Sequence, residues 1–187
     1  PLTVVYSPPY MAQHQNLSSL KVGVRASIGG LGARPVFSVF LTDNPSVRPG
    51  VLLPGALDLV GHQLLWHVDT ADPASVARAT DMLRALDPEV ISSKPNLLSV
   101  LLEHWLRDGR QAPCRPRYGL SGGAMLPESV RDRFEHYFGV PLISCYSISE
   151  LGYLGSECAE RKIHLDESLH QRFEAVPPLA EGPAKDG

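Results

Sequence analysis

The stretch from Arg117 to Glu150 constrains the fold most, because it holds a complete strand, helix and second strand with chemistry-bearing residues after each strand. Tyr118 to Ser121 is a short apolar run halted by Gly122 and Gly123. Pro127 then suits a first helical turn, where its missing N–H would have had no partner anyway. Val130, Phe134, Tyr137 and Phe138 recur at spacings of three and four, with Arg131, Asp132, Arg133 and Glu135 filling the polar positions, and Gly139 reads as a left-handed cap. Val140 to Cys145 forms the second apolar strand, and Tyr146-Ser147-Ile148-Ser149-Glu150 reads as a polar turn at its end. Ligands of open α/β sheets collect off the carboxyl ends of strands. The Ser-Gly-Gly turn and the Tyr-to-Glu turn are therefore expected on one rim.

The preceding residues extend the same alternation. Asp72-Pro73 is an N-cap acid followed by proline, and Val76, Ala79, Thr80, Leu83 and Leu86 share a helical face up to Asp87-Pro88. Val90 to Ser92 gives a strand, and Lys94-Pro95-Asn96 opens a helix whose Leu97, Leu98, Leu101, Leu102 and Trp105 form an apolar stripe ending at Asp108-Gly109. Such alternation predicts an α/β fold, a mainly parallel sheet with covering helices. Further strands are expected at Leu2 to Tyr6, Val22 to Arg25, Val36 to Leu41, Leu64 to Val68 and Ile163 to Leu165. The cluster Gly29-Gly30-Leu31-Gly32 lacks the GxGxxG spacing of a phosphate loop and reads as a plain loop, and the proline-rich run from Asp43 to Pro54 reads as a surface connection. These readings divide the chain into an incomplete β-rich leading part (1–70), a βα-repeat subdomain (71–167) and a polar tail or linker (168–187).

Composition closes off other classes. With 43% hydrophobic and 20% charged residues, the 187-residue chain is globular, and a formal charge of −3 without any Lys/Arg run provides no field for a nucleic acid. No apolar stretch approaches the roughly 20 residues that span a bilayer, and no signal peptide is read, so no membrane partner is expected. Three cysteines at irregular spacing do not suggest a disulfide framework, which favours a cytoplasmic location. The start at Pro1 rather than methionine fits a processed product or a segment cut from something longer.

The order Ser-Gly-Gly-Ala (121–124), amphipathic helix, Phe-Gly-Val-Pro (138–141), short strand, Tyr-Ser-Ile-Ser-Glu-Leu-Gly (146–152), Ser-Glu-Cys (156–158) and Ile-His-Leu-Asp-Glu (163–167) resembles the adenylate-forming, AMP-dependent ligases, and within them the phenylacetate-CoA ligase-like branch. The resemblance runs from Ala71 to Glu167. It implies part of the large domain of an enzyme that activates a carboxylic acid, here an aromatic one, with ATP and Mg²⁺ to an acyl-AMP. The acyl group then passes to a thiol, that of CoA or of a carrier protein. By the resemblance, Ser121, Gly122, Gly123 and Ala124 line the adenine side, Tyr146 stacks on adenine, Ser147 and Ile148 face the acyl group, Ser149 contacts the α-phosphate, and Glu150 holds Mg²⁺. Ser147 stands where the family has glycine and Ser149 where it has threonine. The family's upstream phosphate loop with its lysine, its downstream ribose-binding aspartate and its small carboxyl-terminal domain find no match, so the resemblance covers only the middle of the large domain. Small acid and nucleotide ligands follow from it, with a carrier protein or the missing ligase parts as further partners.

Three other readings have their own residues. A catalytically silent α/β interaction module derived from such a ligase fits the missing parts. Cys158 and His164 are two donors of the kind that hold Zn²⁺, two short of the usual four. Gly119-Leu120-Ser121-Gly122-Gly123 matches G-x-S-x-G in letters and in its strand-to-helix setting, so a serine esterase is the rival enzyme, with His164 or His170 as the available bases.

Overall fold

Each of the three helices described ends on a residue in the left-handed conformation whose N–H bonds back into the last turn, and the first also begins on a side-chain cap. In the computed structural model, which describes residues 36–47, 51–53, 61–109, 111–148 and 152–165, helix α1 spans Pro73–Leu86, α2 Pro95–Asp108 and α3 Glu128–Phe138. The Asp72 carboxylate accepts from Ala74 N–H at 2.9 Å, satisfying one orphan donor of α1. Gly109 (φ 63°) and Gly139 (φ 70°) take the left-handed conformation that closes α2 and α3. The expected strands at 2–6 and 22–25, the glycine cluster at 29–32, Ser149, Glu150, His170 and the tail from 168 lie outside the described residues.

The strands are β1 (Val36–Thr42), β2 (Val51–Leu53), β3 (Gly61–His67), β4 (Val90–Ser93), β5 (Tyr118–Ser121), β6 (Leu142–Ile148), β7 (Gly152–Glu157) and β8 (Ile163–Leu165). Among the described residues they form one sheet in the order β2-β3-β1-β4-β5-β6-β7-β8. The five middle strands from β3 to β6 are parallel; β2 at one edge and β7 and β8 at the other are antiparallel. This is the mixed, mostly parallel α/β fold that the alternation predicts.

Two strands differ from the sequence reading. The run 51–53, expected inside a surface connection, pairs with β3, and the glycine-containing run 152–157 pairs with β6. The second difference moves part of the candidate site. Tyr146, Ser147 and Ile148, expected as a turn, continue β6 because β7 returns alongside to supply their ladder partners.

Helices α1, α2 and α3 connect strands that step in the same direction across the sheet, and right-handed crossovers place all three on one face. Under them lies the core: Val39, Leu41, Ile91 and Leu142 from the strands meet Val76, Leu83, Leu98, Leu101, Leu102, Trp105 and Phe134 from the helices. The Trp105 ring stacks near Tyr137 and meets Phe138 edge-on, with centroids 6.3 and 5.8 Å away, while its Nε1–H donates to Thr80 Oγ1 at 3.0 Å. One side chain thus ties α2 to both neighbouring helices. Leu86, expected on the buried face of α1, is 44% exposed, and Met82 is buried instead. No helix among the described residues is long and apolar enough to cross a membrane.

Candidate functional site at the carboxyl rim

Parallel pairing of β4, β5 and β6 aligns Ser93 with Ser121 and Ser121 with Ser144, so the segments that follow these strands leave the sheet at the same end. Gly122 leaves β5 first. A Cβ placed on it would sit 3.1 Å from the Cys145 carbonyl oxygen and 3.7 Å from Ser147 Oγ, so the glycine turn lies directly against the end of β6. Gly123, at φ 79°, adopts a conformation that side-chain-bearing residues rarely take, and it packs beside the Lys94 side chain at the start of α2. Lys94 Nζ in turn reaches Asp43 Oδ1 at 3.2 Å across the end of β1. The rim therefore collects Asp43, Lys94, Gly122, Gly123 and Ser147 from four successive parallel strands and the segments that follow them.

Tyr146 is 46% exposed, which leaves a ring face open to a ligand. Its cross-strand partner is Gly155, which carries no side chain to cover it. A register shift falls between Tyr146 and Ser147, and such irregularities turn a strand and re-aim the side chains that follow. Ala124 follows in the turn, and beyond it Met125 is 92% exposed.

Ser121 sits differently. Its residue is 0% exposed, and its hydroxyl, like those of Ser93 and Ser156, is buried with no hydrogen-bond partner among the described residues. A serine nucleophile requires an adjacent base and access to substrate. Among the described residues the Ser121 hydroxyl has no hydrogen-bonded base and is covered, which does not suit a nucleophile. The adjoining glycines, rather than the Ser121 side chain, reach the rim.

Toward the amino end of β6 lies a group that the sequence pattern put on the solvent side of α3. Arg131 is 5% exposed and forms a two-pronged pair with Glu157, Nη2 to Oε1 at 2.7 Å and Nη1 to Oε2 at 2.9 Å. Its Nη1 also donates to the Leu142 carbonyl at 2.6 Å, and Glu157 Oε2 accepts from Ser144 N–H at 2.9 Å. Burial favours losing the Arg131 charge, but the hydrogen bonds and charge of Glu157, with Glu128 and Glu135, outweigh it and hold the guanidinium above its ordinary value. The spacing of α3 could not reveal this, because the partner that makes the burial tolerable lies 26 residues further on.

The Cys145 thiol is pushed up to about 12 by burial, with Glu157 adding to it, and the Cys114 thiol is also pushed up to about 12 by burial and Asp87. Both stay protonated and poorly nucleophilic at neutral pH. Cys158 and His164 lie on the β7–β8 hairpin, Cys158 in its turn and His164 exposed on β8 opposite Ser156. No group of three or more His, Cys, Asp or Glu gathers to hold a metal among the described residues. An open cleft of about 420 Å³ between Arg131, Glu135, Pro141, Cys158 and Arg161 lies at the opposite, amino end of β6.

No protein-family model matches the chain, and no curated protein matches it. Solved structures do. An anthranilate CoA ligase, AuaEII, in complex with anthranoyl-AMP superposes with a TM-score of 0.53 at 13% identity, over 83% of this chain and 28% of that one. Over the matched residues the chain shares the fold of this ligase. VinN in complex with L-aspartate superposes with a TM-score of 0.52 at 18% identity, over 82% of this chain and 34% of VinN. The chain thus spans about a third or less of the length of these structures.

Proposed function

We propose that this chain is the nucleotide- and acyl-binding middle of the large domain of an AMP-forming acid–thiol ligase of the phenylacetate-CoA ligase-like branch. The observation that carries this reading is the contact of Gly122 with Cys145 and Ser147, which brings two ordered sequence segments 20-odd residues apart onto one rim of a ligase fold. In this reading the glycine turn lets main-chain groups approach the adenine, and the half-exposed Tyr146 ring stacks on it. Ser147 and Ile148 face the acyl group of an aromatic acid.

Ser149 and Glu150, the two residues after β6, complete the site. The Ser149 hydroxyl donates to the α-phosphate, and the Glu150 carboxylate is the hard oxygen ligand that Mg²⁺ takes when it also binds phosphate. When bound, Mg²⁺ neutralises charge on the phosphates. The chain's own part is to hold the carboxylate of the acid and the α-phosphate within reach of one another, so that acyl-AMP forms with loss of pyrophosphate. CoA or a carrier-protein thiol then takes the acyl group in the complete enzyme.

Calorimetry with Mg-ATP on this chain and on its Glu150→Gln variant tests the reading. Binding by the wild type that weakens in Glu150→Gln is expected. Absence of Mg-ATP binding by the wild-type chain would remove the claim and favour the silent interaction module.

A further inference from the structure

We infer that the buried Arg131–Glu157 pair positions the Tyr146 end of β6, and through it the nucleotide at the rim. The inference rests on the ligase reading for its second half only. Strand β6 changes partners midway: Leu142 to Ser144 pair in parallel with β5, whereas Cys145 to Ile148 pair antiparallel with β7. At the changeover, the Leu142 carbonyl and the Ser144 N–H have side chains as partners. Arg131 donates to the first and Glu157 accepts from the second, at 2.6 and 2.9 Å. The ion pair thus stands in for the missing rungs of the ladder, immediately before the Tyr146–Ser147 register shift.

Arg131 belongs to the first turns of α3, the helix that the glycine turn leads into, and Glu157 ends β7. One salt bridge therefore joins α3, the helix after the glycine turn, to β7, the strand that pairs with Tyr146. An apolar pair of similar volume could fill the space, often without loss of stability. It could not hold the Leu142 carbonyl and Ser144 N–H, so the two roles separate experimentally.

The experiment uses Arg131→Met/Glu157→Leu, which removes both charges together, Arg131→Lys, which keeps the charge but loses the fork, and Val130→Ala as a destabilised control on the same helix. Amide hydrogen exchange at Ser144 to Ser147 and calorimetric affinity for Mg-ATP are read on each. In the double variant these amides are expected to exchange roughly tenfold faster and Mg-ATP to bind roughly tenfold more weakly, in line with the loss of a supporting shell. Arg131→Lys moves both readouts in the same direction by a smaller factor, and it carries the test alone if the double variant does not fold. Val130→Ala lowers the melting temperature and leaves both readouts near wild type. Unchanged exchange at Ser144 to Ser147, or the same acceleration in Val130→Ala, would overturn the inference. A wild-type chain that binds no Mg-ATP would overturn the ligase reading and with it the link to nucleotide, while the exchange data still decide whether the pair positions β6.

Discussion

Gly119 has no room for a methyl group: a Cβ there would lie 2.5 Å from Phe134 Cζ and 2.7 Å from Leu142 Cδ1, two side chains that are themselves almost wholly buried. Gly119→Ala is therefore expected to cost about 1–3 kcal/mol through overpacking, read as a lower urea midpoint at unchanged slope. Two residues away, Ser121→Ala should leave Mg-ATP affinity within twofold, because that hydroxyl faces the covered interior. Tyr146→Ala should weaken it several-fold, since an aromatic contact is worth about 0.5–1.5 kcal/mol beyond area burial. Labelling of Ser121 by a fluorophosphonate probe, lost in Ser121→Ala, would revive the esterase. At this scale the sequence shows which residues can bend or stack, and it is silent on what they touch. Gly122 and Gly123 are legible as a turn from their neighbours alone. The need for glycine at 119 is not, because Phe134 and Leu142 reach it only after α3 folds back.

Helices were legible to within a residue or two at their ends, because each carries its own boundary chemistry. Asp72→Ala isolates one such signal: removal of the cap to Ala74 N–H should destabilise the chain by about 1 kcal/mol, and Asp72→Asn should restore most of it, both measured by thermal melting. Strands carry no comparable signal when their identity comes from a partner. The run 152–157 contains two glycines and no strict alternation, and it becomes β7 because β6 offers it an edge. That pairing in turn makes a strand of Tyr146 to Ile148. Gly155 shows how close the fit is, since a Cβ there would lie 2.2 Å from the His164 carbonyl oxygen.

Over the whole molecule, alkali should find a weakness in the buried thiols and Tyr118. The Cys114 and Cys145 thiols are raised from an ordinary 9.0 to about 12, and Tyr118 is raised too, all chiefly by burial. The folded chain therefore holds these protons more tightly than the unfolded one. Their contribution to stability is complete below pH 9 and is lost between about pH 9 and 12, at up to about 1.4 kcal/mol per pH unit for each group. Urea midpoints should fall steeply over that window, and Cys114→Ala/Cys145→Ala should flatten the fall. A midpoint that does not move between pH 8.5 and 10.5 would contradict it.

The position of β1 bears on how the chain assembles over time. Strands β4 and β5 each pair with the next strand of the parallel series, so this half of the sheet can grow by short steps as synthesis proceeds. The other half cannot. Strand β1 is made before β3 and β4 and lies between them, with Val39 opposite both Leu64 and Ile91. Its second ladder waits until the chain has been extended by some fifty residues, and contacts that close such long loops are the slow ones. Until then an apolar segment with one edge unpaired is open to wrong partners. On a ribosome, the centre of this sheet stays open until β4 has emerged, and only then can the later strands be added beside it.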